Sequence, residues 1–166
     1  KITEKWKGNI WLQAWPRIYL VQGVLSWLVS LPIIMAASKM LSGWEWLIFA
    51  GTFIWVTGFA VETVADRQLR KYLAHANRPK VMDRGLWAYS RHPNYFGELV
   101  QWWGIGIIAL STQFGIVGLI GPALISYLII FVSGIPPIEN RKKTDPDYAA
   151  YMKRTSALIL WPPKHP

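Results

Sequence analysis

The sequence predicts an all-α integral membrane bundle of about four transmembrane helices, and three observations predict it. The chain of 166 residues is 52% hydrophobic, with 11 Trp and no Cys, a composition ordinary for a chain embedded in lipid and unusual for a soluble domain. From Leu99 to Ile138 run 40 consecutive residues without Asp, Glu, Lys, Arg or His. The net charge of +9 is gathered into a few segments that alternate with apolar runs.

Residues 1–17 read as an amphipathic lead-in, with Trp6, Trp11 and Trp15 as interface anchors. The first span is Ile18 to Ser38, 21 uncharged residues with Pro32 inside as a kink. It is too long for a cleaved signal peptide and lacks a small-residue cleavage site. The second span, Trp46 to Val61, has 16 uncharged residues and runs on into "VETVADRQLRKYLAHANRPK". There Glu62, Asp66 and Arg70, at successive i, i+4 spacing, share one helix face.

The stretch "NRPKVMDRG" is a loop by its Asn, Pro and Gly content. It leads into "GLWAYSRHPNYFGE", residues 85 to 98, where dense polar chemistry stands directly before the longest apolar run. Ser90 is available as a helix cap, and Pro93 suits the first turn of the next helix. Asn94 and Glu98 are four apart and Arg91 sits just before the helix, so all three can face one cavity. A single helix of 40 residues would be about 60 Å long, twice the hydrocarbon thickness, so the run folds back on itself. The turn is "STQFG", Ser111 to Gly115, which yields the third and fourth spans. Pro136 and Pro137 end the fourth span, and the basic remainder is a short helix and an ordered tail. No repeat or second domain is evident, so residues 1–166 form a single membrane domain.

Lys and Arg residues set the orientation. Residues 1–17 carry four, residues 65–93 seven and the tail from Pro136 six, while the turn at 111–115 carries none and the turn after the first span only Lys39. Both termini and the central segment are therefore expected on the cytoplasmic side, of a bacterial inner membrane or an endoplasmic reticulum.

Several chemistries are excluded. His75, His92 and His165 lie far apart with no HxxxH or HExxH spacing, so no metal site is expected. There is no G-x-S-x-G nucleophile elbow, P-loop or G-x-G-x-x-G fingerprint. Nucleic acid is a poor partner for a basic face lying on a bilayer. What remains is a helix N-terminus near the membrane surface, ringed by Arg70, Lys80, Arg84, Arg91 and Arg141, with Tyr89, Tyr95, Tyr148 and Tyr151 close by in sequence. Such a ring suits a phosphate-bearing ligand, with Tyr rings to stack on a base. Glu98, a carboxylate just inside a span, needs an amide, hydroxyl or cation to satisfy it. Its structural alternative is a partnership with Arg91 or Gln101.

The fourteen-residue motif, the upstream "VADRQLRKY", the "QG" of Gln22 and Gly23, and the ending "YMKRTSALILWPP" together resemble the C-terminal domain of the steroid 5α-reductase family, from about Trp15 to Lys164. Sterol reductases and isoprenylcysteine carboxyl methyltransferases are more distant relatives with the same helical core. The resemblance implies a cytoplasmic-side pocket that holds NADPH at the membrane end of the helices. Asp66 and Arg70 are implied at the adenosine end, Lys80 at a phosphate, and Tyr89, Ser90 and Arg91 along the body of the cofactor, with His92 and Tyr95 also among the cofactor-binding residues. Asn94 and Glu98 are implied at the nicotinamide amide, and Glu139, Arg141, Tyr148 and Tyr151 join the pocket from the tail. Two departures stand out. Leu160 occupies a position where the family pattern has Pro, and nothing matches the N-terminal helices that in full-length reductases carry the catalytic acid and Tyr.

The expected activity is NADPH-dependent reduction of a conjugated C=C bond in an apolar, steroid-like 3-oxo-Δ4 substrate drawn from the bilayer, with membrane lipids as the other partners. Two rivals are an S-adenosylmethionine-dependent methyltransferase of the isoprenylcysteine type, and a non-catalytic sterol- or lipid-binding membrane protein.

Overall fold

The computed structural model describes residues 15–38 and 41–164. The expected anchors Trp6 and Trp11 lie outside these residues. A π-helical turn, Trp15–Leu20, opens the first span and continues as α1, Val21–Ala37. Next come α2, Trp46–Ala74, the single turn α3, Leu86–Tyr89, and α4, Pro93–Ala109. A 3₁₀ turn, Gly115–Leu119, leads into α5, Ile120–Tyr127, which widens into a π turn at Leu128–Val132. Two short helices complete the chain: α6, Ile135–Lys142, and α7, Pro146–Arg154.

Among the described residues three stretches are long and apolar enough to cross a membrane: Ile18–Ala37, Trp46–Ala74 and Gly115–Lys142. The remaining expected span is α4, whose 17 residues rise about 25 Å, the short end of what a bilayer accepts. The chain is thus an all-α membrane bundle. The turn falls where the sequence puts it, with α4 ending at Ala109 and Gly115 opening the next helical segment. Pro136 and Pro137 stand in the first turn of α6, where the missing N–H groups cost nothing. The tail therefore holds two helices where one was expected.

α4 is the centre of the bundle, with α2 on one side and α1 and α5 on the others. Its contact with α2 is antiparallel and uses glycine on both helices, spaced seven apart: Gly51 and Gly58 face Gly104 and Gly97. A Cβ added at Gly97 would stand 2.6 Å from the Glu62 backbone nitrogen and 2.7 Å from the Gly58 carbonyl oxygen. The two backbones therefore touch with no side chain between them, the close approach that small residues permit in membranes. On the other side Pro32 of α1 packs on Gly118 and Gly121. Leu99, Ile129 and Ile135 form a buried cluster with Tyr95, Ile125, Ile130 and Leu158 packed against it. Away from α4, Phe49 and Phe53 are 79% and 74% exposed, as expected of a face turned to lipid rather than to a protein core.

Candidate functional site

The site is built where α2 leaves the apolar region and meets the 85–98 motif and the tail. Ala65 of α2 is fully buried, and its carbonyl accepts the Trp87 indole N–H at 3.1 Å. The loop before α3 turns at Gly85, whose φ of +62° favours glycine. The Leu86 N–H then reaches Gln68 Oε1 at 3.0 Å, which docks α3 on α2.

Ser90 is fully buried and joins the motif to the tail. Its hydroxyl donates to the Leu158 carbonyl at 2.7 Å and accepts the His92 N–H at 3.1 Å. His92, rather than Ser90, takes the N-cap position of α4, and Pro93 takes the first helical position as expected. Ser90 and Ser156 pair in parallel, with the Arg91 N–H on the Ser156 carbonyl at 2.8 Å and the Trp161 N–H on the Tyr89 carbonyl at 3.1 Å.

The Arg91 side chain is turned into this junction. Its Nε donates to Glu139 Oε1 at 2.8 Å, and Nη1 donates to the carbonyls of Met152 and Thr155 at 2.9 and 2.7 Å. The same Glu139 oxygen lies 3.2 Å from His92 Nε2, and the His92 ring stacks on Tyr95 with centroids 5.5 Å apart. Burial holds His92 below the ordinary imidazole range, against the opposing pull of Glu139, so the ring is neutral at neutral pH. Tyr151 is buried, and its hydroxyl donates to the carbonyls of Trp87 and Ser90. Burial raises the pKa of both Tyr148 and Tyr151, so both rings stay protonated.

A cavity of about 210 Å³ opens beside this junction. Five of the sequence-selected residues line it, Lys80, Arg91, His92, Tyr148 and Tyr151, together with apolar Leu69, Leu73 and Trp87. Lys80 pairs with Asp147 at 2.9 Å on the surface; the hydrogen bond and charge of Asp147 raise the lysine's pKa. Asp66 and Arg70 share the α2 face of Leu69 and Leu73, by i, i+3, i+4 and i+7 spacing. Sequence reasoning missed Trp87 and Lys142. Lys142 lines the cavity, stands 5.3 Å over the Tyr148 ring, and lies four residues from the lining residue Ile138, a spacing the sequence displays. The selected Arg141 instead donates to the Pro137 carbonyl of its own helix, and Tyr89 is exposed on the surface.

Arg91 does not share a cavity with Asn94 and Glu98. Those two lie farther along α4, and Glu98 is within the electrostatic field of Glu62 and Asp66. Neither structural partner considered for Glu98 is engaged with it: Arg91 is held by Glu139, and Gln101 donates to Glu62. Among the described residues no hydrogen bond or ion pair occupies the Glu98 carboxylate, and no group of acidic and histidine side chains has a geometry that would hold a metal ion.

Comparison with known proteins agrees with the motif. The chain is 29% identical over 85 residues to human 3-oxo-5-alpha-steroid 4-dehydrogenase 1, a match covering 51% of this chain and 30% of that protein. The chain thus matches under a third of the length of this curated relative. No solved structure matches it. Residues 1–155 match the family described as protein of unknown function DUF1295. On that match the chain belongs to the DUF1295 family, and its partial likeness to the human enzyme is consistent with a steroid 5α-reductase-like family.

Proposed function

We propose that the chain binds NADPH at the cavity beside the Arg91 junction, as part of a membrane reductase of the conjugated C=C bond in an apolar, steroid-like 3-oxo-Δ4 substrate. The observation that carries this reading is the convergence of Lys80, Arg91, His92, Tyr148 and Tyr151 on one cavity, beside the α2 face of Asp66 and Arg70. The similarity to a 3-oxo-5-alpha-steroid 4-dehydrogenase supports the reaction class.

The residues fit the cofactor. A volume of about 210 Å³ is below that of a site for a whole drug-sized ligand and suits one aromatic base. Lys80 and Lys142 provide cations at its mouth for phosphate oxygens. Tyr148 offers a ring face for stacking, and Asp66 and Arg70 would hold a ribose and its phosphate. Asn94 and Glu98, four apart on α4, offer an amide and an uncommitted carboxylate to the nicotinamide carboxamide. Arg91 and His92, fixed by Glu139, hold the motif against the tail so that these groups keep their relative positions. NADPH, when bound, supplies the hydride. The acid that polarises the substrate carbonyl is not assigned to any residue of this chain, and the apolar substrate enters from the bilayer.

Calorimetry on the purified chain in detergent tests the reading. Tighter binding of NADPH than of NADH is expected, with the preference reduced in Lys80→Gln. Tighter binding of S-adenosylmethionine, or no nucleotide binding at all, would overturn it in favour of the methyltransferase or the lipid-binding protein.

A further inference from the structure

A larger cavity, of about 420 Å³, lies on the other side of Tyr72, outside the proposed cofactor site. Lys71, His75, Arg78 and Arg84 line it together with Gln68 and Asn77. Among the described residues Asp83 is the one carboxylate in its lining, and it is already paired with Arg154. Three cationic residues, Lys71, Arg78 and Arg84, thus line a concave surface that is otherwise mostly apolar, and its carboxylate is paired elsewhere. Tyr72, Val81 and Met82 line both cavities, which adjoin across these side chains, and the Tyr72 hydroxyl is fixed to the Pro79 carbonyl.

Depth identifies what such a cavity meets. Trp46 opens α2 beside Trp44, and both rings are more than half exposed, as interface anchors are. Lys71 stands 25 residues further on, a rise of about 37 Å, which equals the hydrocarbon thickness plus one headgroup layer. The cations of the cavity thus lie at the level of the lipid phosphates on the membrane face opposite Trp46. Basic concavities at that depth favour anionic headgroups over zwitterionic ones, because only the former add net negative charge.

We propose that this cavity is a phosphate-binding site supplied by the headgroup of an anionic phospholipid, separate from the cofactor site. The test is thermal unfolding of the full chain in dodecylmaltoside micelles with dioleoylphosphatidylglycerol, dioleoylphosphatidylcholine or inorganic phosphate. The phosphatidylglycerol is expected to raise Tm by roughly 5 to 10 °C at a hundredfold excess over Kd, and the phosphatidylcholine to leave it unchanged. Lys71→Gln combined with Arg84→Gln should abolish the rise. Both side chains are exposed and hold no hydrogen bond or ion pair among the described residues, so the fold should survive. The charge-preserving pair Lys71→Arg and Arg84→Lys should retain the rise, as should the distant control Lys153→Gln. An equal rise with inorganic phosphate, lost in the same double variant, would also support the phosphate site and make a soluble phosphate its source. The proposal is overturned if both lipids act alike, if the neutral double variant responds as wild type does, or if saturating NADPH removes the lipid effect.

Discussion

Arg91 and Glu139 form an ion pair of 2.8 Å with side chains only 10% and 16% exposed, and through it the motif at residues 85–98 is fastened to α6. Glu139→Gln should therefore destabilise the chain by roughly 2 to 3 kcal/mol, because a guanidinium largely withdrawn from water loses its counter-charge. Thermal unfolding without cofactor measures this. An unchanged Tm would show the pair to be incidental to the fold.

His92 adds a pH dependence. Its folded-state pKa is lowered from 6.5, chiefly by burial, so below pH 6.5 the unfolded chain binds the proton more readily than the folded one. Stability should fall as pH drops through this window and level off below the folded pKa. The acid-side loss should be smaller in His92→Gln, which does not titrate there. Parallel Tm profiles for the two proteins between pH 7.5 and 5 would contradict this assignment.

Glu98→Gln separates a cofactor contact from a structural one. Among the described residues its carboxylate has no ion-pair partner to abandon, and it stands near Glu62 and Asp66, so Tm without NADPH should hold or rise. NADPH affinity should weaken by roughly 1 to 3 kcal/mol through loss of a charge-assisted hydrogen bond. The pair of measurements is calorimetry and thermal unfolding with and without NADPH. A lower Tm with unchanged affinity would remove Glu98 from the cofactor site.

Gly97→Ala should force α2 and α4 apart, since the new methyl would lie within 2.7 Å of two backbone atoms that cannot yield as side chains do. A loss of roughly 1 to 3 kcal/mol is expected, with weaker NADPH binding as α4 shifts. Gly23→Ala, with open space around the added Cβ, is the control; equal Tm losses for the two would contradict the close helix contact.

The Lys80–Asp147 ion pair and the Tyr89–Trp161 hydrogen bond tie residues 65–93 to the tail, which requires both on one face of the membrane. Because the chain has no Cys, cysteines placed at Asn77 and Lys164 report this directly in sealed vesicles. Both should be labelled from the same, cytoplasmic side; labelling from opposite sides would break the four-span reading.

The parts of this fold legible in the sequence are those set by local chemistry. Pro93 marks the start of α4, the polar turn at 111–115 divides the apolar run, and residues 85–98 stand out by contrast with the uncharged run that begins at Leu99. What escaped depends on pairs distant along the chain. Ser90 is a reasonable cap by its neighbours, yet its hydroxyl is taken by Leu158, 68 residues away. Arg91 and Glu139 both read as cofactor residues, and nothing local reveals that they bind each other. That Lys142 rather than Arg141 lines the cavity depends on helix phase, which in so short a helix is set by where the prolines let it begin. The seven-residue spacing of glycines in α2 and α4 is visible in the sequence, but which glycine meets which is fixed only by the antiparallel register.

That register also bears on how the protein meets membranes of different thickness. Because α2 and α4 touch backbone to backbone, neither can slide or rotate against the other without steric collision, so the pair behaves as one stiff spar. Bilayer mismatch, which deforms helices at modest energetic cost, is then absorbed elsewhere. The π turns at Trp15–Leu20 and Leu128–Val132 are local departures from regular α-helix, and they lie in the two outer spans. Thickness changes would thus be taken up at the periphery, while the distance between Asp66 and Glu98 stays constant from one membrane to the next.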